Sequence, residues 1–533
     1  MFVWALEVAK SALFSQQTAI YVTSHNIANV NTPDYSRQQV VLSTLGPVNL
    51  PVGYLGRGVW VEEVRRIYDR FLMLQVNSQQ SEKSFWETHS KVLSQMETLL
   101  GDSEEGGFGT LMDEFFNAWH QLSLNPQGYG ERVALLRIAE NLSELIGYKA
   151  KSLSQTRQDL VKEIESALRD INRLLSEIAQ INGKIRLGRN DLFDERDRLL
   201  KELSAYLNFT VLEDGQGRVT LLIGGVSLVE GLEAHSLTLE SDPFGKVKIK
   251  LKGPGTFDVT SFVSLGKLGA LIKAENEILP SFSEKLDEFV KMIISKVNKL
   301  HSEGEGQKTY TQIESLYDLN DPPFQIPKGS FQIRLYNPNG DLVTYSVNFD
   351  GDLQDLIDQL NQITGLHAEI ENGRLRIYAD PGYSFSFARA DKESSGIVSA
   401  LGLNLFFTGW DASTIGLNPL LEDDPAYISA ASNPKSPDDN SNALLIGELG
   451  GGPFKEFYNS IMGEIGLMVK DAQKRFEVSE GLLQSLQARR EEISGVSLDE
   501  EMLNLIKFQR SYEAAAKLVR IIDELLETLI SLR

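Results

Sequence analysis

Asp194-Glu195-Arg196-Asp197 is the stretch of this chain best equipped for chemistry. Carboxylates crowded beside a guanidinium could pair a general acid with a base, or hold a hard cation. The run falls on a helix beside apolar positions, however, and there it reads as a solvated face laced with ion pairs. The six histidines, at 25, 89, 120, 235, 301 and 367, are scattered, and none has local metal-ligand spacing. No cysteine is present, which excludes disulfides, thiolate metal sites and cysteine nucleophiles and leaves the compartment open. Gly304-Glu-Gly306-Gln-Lys-Thr imitates a phosphate-cradling loop without its spacing, and reads as the boundary of an inserted domain. No nucleophile elbow occurs. The expectation is a protein without catalytic, cofactor-binding or metal-ligating residues.

The elements around these residues point elsewhere. Both ends carry long amphipathic helices. Between Met1 and about Ile27, Leu6, Ala9, Leu13, Ile20 and Ile27 fall on one seam, interrupted by Gln16 and Thr23. Between Ser497 and Arg533, Leu505, Phe508, Tyr512, Ala515, Val519, Ile522, Leu526 and Leu529 alternate steps of three and four. That alternation keeps one apolar seam turned toward a partner helix. Leu518, Ile521 and Leu525 add a second strip that a single neighbour would leave exposed. Such surfaces at both termini, where chains usually fray, suggest a subunit built for assembly. Charges at Leu505, Val519 and Ile522 are expected to block assembly while the central domains stay folded. Ser497 with Glu500 fits a capping box at the start of the last helix.

Composition bounds the rest. A length of 533 residues suggests three or four domains with ample material for cores. Lys and Arg total 52 against 74 Asp and Glu, a net charge of −22. That field repels phosphate backbones, and no local basic patch offsets it, so nucleic acid is not an expected partner. No apolar run reaches about 18 residues, so membrane insertion is not expected either. The N-terminus lacks the basic segment, unbroken apolar core and cleavage site of a Sec-type signal.

Along the chain, Pro33 should end the first helix by Thr32. Short extended runs follow to Glu63, then helix from about Tyr68 to Leu100. The clearest helix runs from about 131 to 187, with Leu160, Ile164, Ala167, Ile171, Leu174, Ile178, Ile181 and Ile185 in unbroken alternation. Its length would be about 85 Å. From Asn208 the period becomes two, with a hairpin turning at Asp214–Gly217 and a strand at Lys246–Lys252. Helix returns between Leu265 and about Leu300. A small ββαββ unit follows, with turns at Asn337–Gly340 and Asn372-Gly373 around a helix from Asp352 to Ile363. Pro419 to Asn442 reads as a linker, and helix dominates from Phe454 onward with a break near Gly495. The fold class is therefore α+β multidomain: an elongated α-helical stem formed by the N- and C-terminal segments, with two inserted β-rich domains. The expected parts are a terminal assembly domain (1–70 with 495–533), a helical body (71–207 with 265–303 and 441–494), a first β-rich insertion (208–264) and a second, α+β outer insertion (304–440).

The N-terminal residues also carry a resemblance. Ser11-Ala12-Leu13, Asn26, Asn29, Asn31, Thr32 and Pro33, then Tyr35-Ser36-Arg37-Gln38, resemble the signature of flagellar rod, hook and hook-associated proteins. The Tyr-Ser-Arg-Gln ending is most similar to the hook-associated protein 1 branch. Gly58-Val59 with Arg66, Asp69 and Phe71-Leu72, the run Asn190–Ser204, and above all Gly495–Lys517 are similar to the same group. Asp34 stands where that group has glycine; Asp tolerates a left-handed turn, so the turn is expected to survive. Residues 304–440 match nothing in it. The resemblance implies a non-enzymatic, extracellular junction subunit between flagellar hook and filament, exported without a cleaved signal. It implies copies of itself in a ring, hook protein below, hook-associated protein 3 above, and an export chaperone at the C-terminal helix. Another axial protein, such as hook-associated protein 3 or a hook or rod subunit, is the alternative within the class. Outside it stand a secreted helical adhesin or effector, and then a cell-wall hydrolase, which lacks a paired-carboxylate motif.

Overall fold

The computed structural model describes residues 2–50, 53–101, 107–185, 189–253, 255–390, 394–433 and 438–531. It is an α+β multidomain protein with long terminal helices. The helices named below are α1 (Phe2–Ala28), α2 (Arg70–Leu100), α3 (Phe108–Leu124), α4 (Tyr129–Lys184) and α5 (Asn190–Tyr206). Two compact units emerge. One is built from Met1–Lys91, Leu160–Ala274 and Asp471–Arg533, the other from Val92–Asp159 and Glu275–Lys470.

In the first unit, α1 packs along the C-terminal helix Leu498–Ser531. Small residues on the facing surfaces, Ala9, Ala19 and Ala515, are buried and let the two axes approach closely. An antiparallel ribbon of Gln38–Thr44 and Val59–Arg66 covers α1. Gly58 sits there with φ 109°, and a Cβ on it would lie 2.1 Å from the Ser11 hydroxyl of α1. That hydroxyl accepts the Val59 amide at 3.2 Å, so Gly58 and Ser11 fit together as a pair. The α4 seam from Leu160 to Ile181 is buried, as its spacing predicts. Leu199, Leu200 and Leu203 of α5 are buried too, and Asn172 and Asn182 tie α4 to two small sheets. The sheet orders are 210–213, 219–223, 226–230, 233–234 and 256–258, 247–252, 236–241.

The second unit departs further from the sequence reading. Between the helix expected to end at Leu100 and the one expected from about 131, where the sequence reading assigned no element, lies α3, whose Phe108, Phe115, Phe116 and Trp119 are buried. Their rings stack into an aromatic core with Phe289, Phe406 and Phe454. The expected helix from Leu265 is interrupted by a π turn at Ala274–Ile278 before it resumes as Leu279–His301. Pro280 explains this, because it lacks the amide an unbroken α-helix would need there. The ββαββ unit gains Ser384–Arg389, which pairs with Gly329–Tyr336 to give a sheet ordered 342–349, 329–336, 384–389. A second sheet, ordered 312–314, 374–379, 366–371, closes the core from the other side of the helix Leu353–Asn361.

The segment from Pro419 to Asn442 is no loose linker. It holds the short helix Pro419–Asp423 and docks on the helical part of its unit. Arg132 of α4, 1% exposed, donates to the carbonyls of Pro425 and Ile428 at 3.1 and 2.7 Å. Glu305 and Ala431 exchange backbone hydrogen bonds, and the Glu305 carboxylate accepts from Arg334 and Ser386 at 2.9 Å each. Polar composition misled here because the docking is itself polar.

One motif recurs in both units. A helix carboxamide presents a donor and an acceptor with the spacing of a peptide group, so it can pair with a strand backbone like a one-residue bridge. Asn172 does this to Leu237 (2.9 and 2.8 Å), and Asn182 to Val219 (2.8 and 3.0 Å). Gln359 does it to Asn348 (2.9 and 3.0 Å), and Asn361 to Ala368 (2.9 and 2.8 Å). Three of these strands, 236–241, 342–349 and 366–371, are sheet edges closed in this way by their own helices, whereas Asn182 holds the end of the interior strand 219–223.

Candidate functional site

The charged run on α5 and the residues of the N-terminal signature meet in one place in the first unit. α1 stops at Ala28, and residues 29–32 turn, with the Asn29 amide bonded back to the His25 and Asn26 carbonyls and the Thr32 amide to the Asn29 carbonyl. Asn26, buried at 1%, is the hub. Its carboxamide exchanges hydrogen bonds with the Gln38 backbone at 2.8 and 3.0 Å, accepts from the Tyr35 hydroxyl at 2.8 Å, and donates to Glu501 at 3.1 Å. Asn29 donates to the His25 carbonyl and accepts from Thr32. Arg37 reaches the C-terminal helix, with Glu501 at 2.7 Å and Glu500 at 2.8 Å, and its amide donates to the Ser494 carbonyl. Ser497 does cap Glu500, weakly at 3.5 Å, but the reciprocal half of the expected box is not made: the Glu500 carboxylate pairs with Arg37 instead.

Asp34 adopts the left-handed turn with φ 62°. Its carboxylate accepts from Lys201 at 2.9 Å and from Arg490 at 2.6 Å. Burial pushes the Asp34 carboxyl up, and the two cations outweigh it, holding the group below the usual carboxylate range. Burial pushes the Tyr35 phenol up, with Asp194 and Glu501 adding to the effect.

The reading of Asp194–Asp197 as a solvated face is corrected for three of its four members. Glu195 and Arg198 do pair in solvent at 2.7 Å. Arg196 and Asp197, at 1% and 4% exposure, are buried, and Asp194 is nearly so. Arg66 on the ribbon forks onto Asp194 (2.6 Å) and Asp197 (3.0 Å), while Arg196 holds Asp197 and Glu213. Burial pushes the Asp194 carboxyl up, and Arg66 recovers only part of that shift. Asp69, from the same resembling stretch, caps α2 by accepting the Leu72 amide. Arg66, Asp194, Arg196 and Asp197 are thus all engaged in ion pairs. Among the described residues, no three His, Asp or Glu side chains gather to hold a metal. An open cleft of about 500 Å³ lies beside the network, lined by Asn29–Tyr35, Arg37, Arg490 and the helix break Ser494–Ser497.

The two seams face each other within a single chain, so they are not the unpaired surfaces the spacing suggested. Ala9, Ala515 and Ile522 are buried; Leu13, Ile20, Ile27, Leu505, Phe508, Val519 and Leu526 are half-buried; Leu6 and Tyr512 are exposed. The Leu529 side chain lies outside the described residues. Within the signature, Asn26 and Ser36 are buried, Asn29, Tyr35, Arg37 and Gln38 half-buried, and Asn31, Thr32 and Pro33 exposed. What remains open is the neighbouring row, with Leu503, Leu518, Ile521 and Leu525 each 46–68% exposed, and Trp4, Phe14 and Tyr21 on α1.

Residues 6–35 match the family described as flagella basal body rod protein, and 487–532 the flagellar basal body rod FlgEFG protein C-terminal family. Residues 93–312 match the flagellar hook-associated protein FlgK helical domain. Flagellar hook-associated protein 1 of Bacillus subtilis is 27% identical over 99% of this chain and 97% of its own length. The Escherichia coli protein of that name is 24% identical over 98% and 99%. Over nearly its whole length the chain is similar to flagellar hook-associated protein 1. A structure of the flagellar hook junction protein FlgK from Burkholderia pseudomallei shares the fold, with TM-score 0.52 and 15% identity over 79% of this chain and all of that one. The similarity to flagellar hook-associated protein 1 supports a structural, hook-associated role in the flagellum and implies an extracellular flagellar component. No helix among the described residues is long and apolar enough to cross a membrane. The buried charge network was missed in the sequence because Arg66 and Asp194 are distant along the chain, and only their placement in one resembling pattern linked them.

Proposed function

We propose that this chain is the subunit joining flagellar hook to filament, and that it assembles through its terminal helices after export through the flagellar type III channel. The observation carrying this reading is the set of large apolar side chains left open on the terminal helix pair: Leu503, Ile506, Leu518, Ile521 and Leu525 on one helix and Trp4, Phe14 and Tyr21 on the other. A pair already packed on itself gains nothing from that set unless neighbours cover it. Copies of the same chain in a ring, hook protein below and hook-associated protein 3 above are the partners this reading requires. The export chaperone would hold the C-terminal helix before assembly. Neither an enzymatic role nor a nucleic-acid partner enters it.

The test uses the exposed row, because Ile522 is buried and charging it would disturb the monomer itself. Leu518→Lys with Ile521→Glu and Leu525→Lys is expected to leave the monomer within about 0.5 kcal/mol per site of native stability. Incorporation into the hook end, followed by labelling and by motility, should be lost. Normal incorporation of a folded triple variant would remove the row from the assembly surface.

A further inference from the structure

Among the described residues, three other than glycine have positive φ: Asp34, Asn372 and Asn404. Asp34 alone is charged. Glycine reaches this backbone conformation at least cost, so a side chain kept there must return something through its own contacts. The Asp34 carboxylate does so by joining segments remote in sequence. Lys201 of α5 and Arg490 of the helix Pro453–Ser494 converge on the same oxygen, Oδ1, at 2.9 and 2.6 Å. All three side chains are largely shielded, at 13%, 27% and 17% exposure. Screening by salt is therefore weaker than for an ordinary surface pair, and the charge-assisted bonds are correspondingly stronger. Three residues on, Arg37 ties the same loop to Ser494, Glu500 and Glu501. The loop also leads straight out of α1, which packs on the C-terminal helix.

We propose that Asp34, Lys201 and Arg490 form an electrostatic latch that holds the loop Asn29–Arg37, and with it the start of the terminal helix pair, against α5 and the Pro453–Ser494 helix in the free chain. Lys201 and Arg490 are thus a carboxylate-binding pair whose ligand comes from their own chain. The latch is a property of the monomer and stands whether or not the terminal helices form the assembly surface.

Hydrogen exchange on the full-length monomer separates charge from backbone. Asp34→Asn keeps a residue tolerant of the turn and removes the charge. Asp34→Gly relieves the backbone and also removes the charge. Both should speed exchange of amides in 29–38 and 490–498 about tenfold at low salt, with α4 amides at 164–178 unchanged. Added to Asp34→Asn, Arg490→Gln should give little further acceleration. Sodium acetate, matched against chloride at equal ionic strength, should slow Asp34→Gly back toward native. An Asp34→Gly chain that exchanges as slowly as native shows that backbone relief dominates and overturns the latch. So does full additivity of Asp34→Asn with Arg490→Gln, and so does equal exchange in acetate and chloride.

Discussion

Arg66→Met should cost the first unit about 3–5 kcal/mol, read by urea unfolding near neutral pH. The Arg66 guanidinium is 8% exposed, stacks 4.8 Å from the Tyr68 ring and 5.2 Å from Phe193, and forks onto Asp194 and Asp197. Asp197 retains Arg196 in the variant, but Asp194 is left in a buried position with only Ser36 to support its charge. Its carboxyl, already pushed up by burial, would rise further and take a proton within the experimental range. The gap between native and variant should therefore narrow as pH falls, since the protonated variant no longer buries an unpaired anion. Arg66→Lys keeps the charge and gives up the fork and the stacking, and should cost less, about 1–2 kcal/mol. A loss below about 1 kcal/mol for the methionine variant would show that the network is dispensable to the fold.

The second large effect depends on pH. His301 is fully buried between Trp119 and Phe406, and both ring nitrogens are in use. Nε2 accepts the Ser429 amide at 3.0 Å, which leaves the proton on Nδ1 to be donated to the Asn404 carbonyl at 2.9 Å. Protonation would destroy the acceptor that holds Ser429, beside the Arg132 guanidinium. Burial, opposed by the Asn404 bond and reinforced by Arg132, lowers the His301 pKa to about 4. An unfolded histidine titrates near 6.5, so between those values the unfolded chain binds more protons and stability rises with pH. The contribution is complete above pH 6.5 and is lost on acidification toward pH 4, about 3 kcal/mol in all. His301→Asn should remove that slope from the second unit while His89, also lowered to about 4 by burial and then Lys273, keeps its own in the first. Identical pH profiles for native and His301→Asn between pH 4.5 and 7 would count against the buried neutral state.

What the sequence made legible was whatever a single segment decides. The three-four alternation of Leu160 to Ile181 is local, and it is buried as spaced. Asn372-Gly373 supplies two consecutive positive φ values, and the hairpin turns there. Features decided by distant partners stayed hidden. Phe108–Leu124 lies directly after an acidic, Gly-rich stretch, and its helix draws its stability from aromatic residues far along the chain. Ser384–Arg389 alternates as Ser-Phe-Ser-Phe, but its place in the sheet depends on Gly329–Tyr336, far along the chain. Asp197 looks like any helix-surface acid until Arg66 arrives from the ribbon. At the terminal helices the element order placed the two ends side by side in one stem, and they do pack there, but the spacing could not say how much of each seam that pairing would fill.

The carboxamides that bind strand backbones have a chemical lifetime. Asn182 hydrogen-bonds both to Val219 and to the Gly231 carbonyl, and its chain neighbour is Gly183. An unfolded Asn-Gly pair cyclises readily to a succinimide, because the following amide nitrogen is unhindered and free to attack the side-chain carbonyl. In the native chain that nitrogen is fixed in α4 and the carboxamide is clamped on the strand, so the ring cannot close. An aspartate formed at this position while the chain is unfolded would face two carbonyls with an acceptor where a donor is needed. Deamidation of Asn182 would therefore accumulate as a record of time spent unfolded, and the aged fraction would refold without its first β-rich sheet correctly seated.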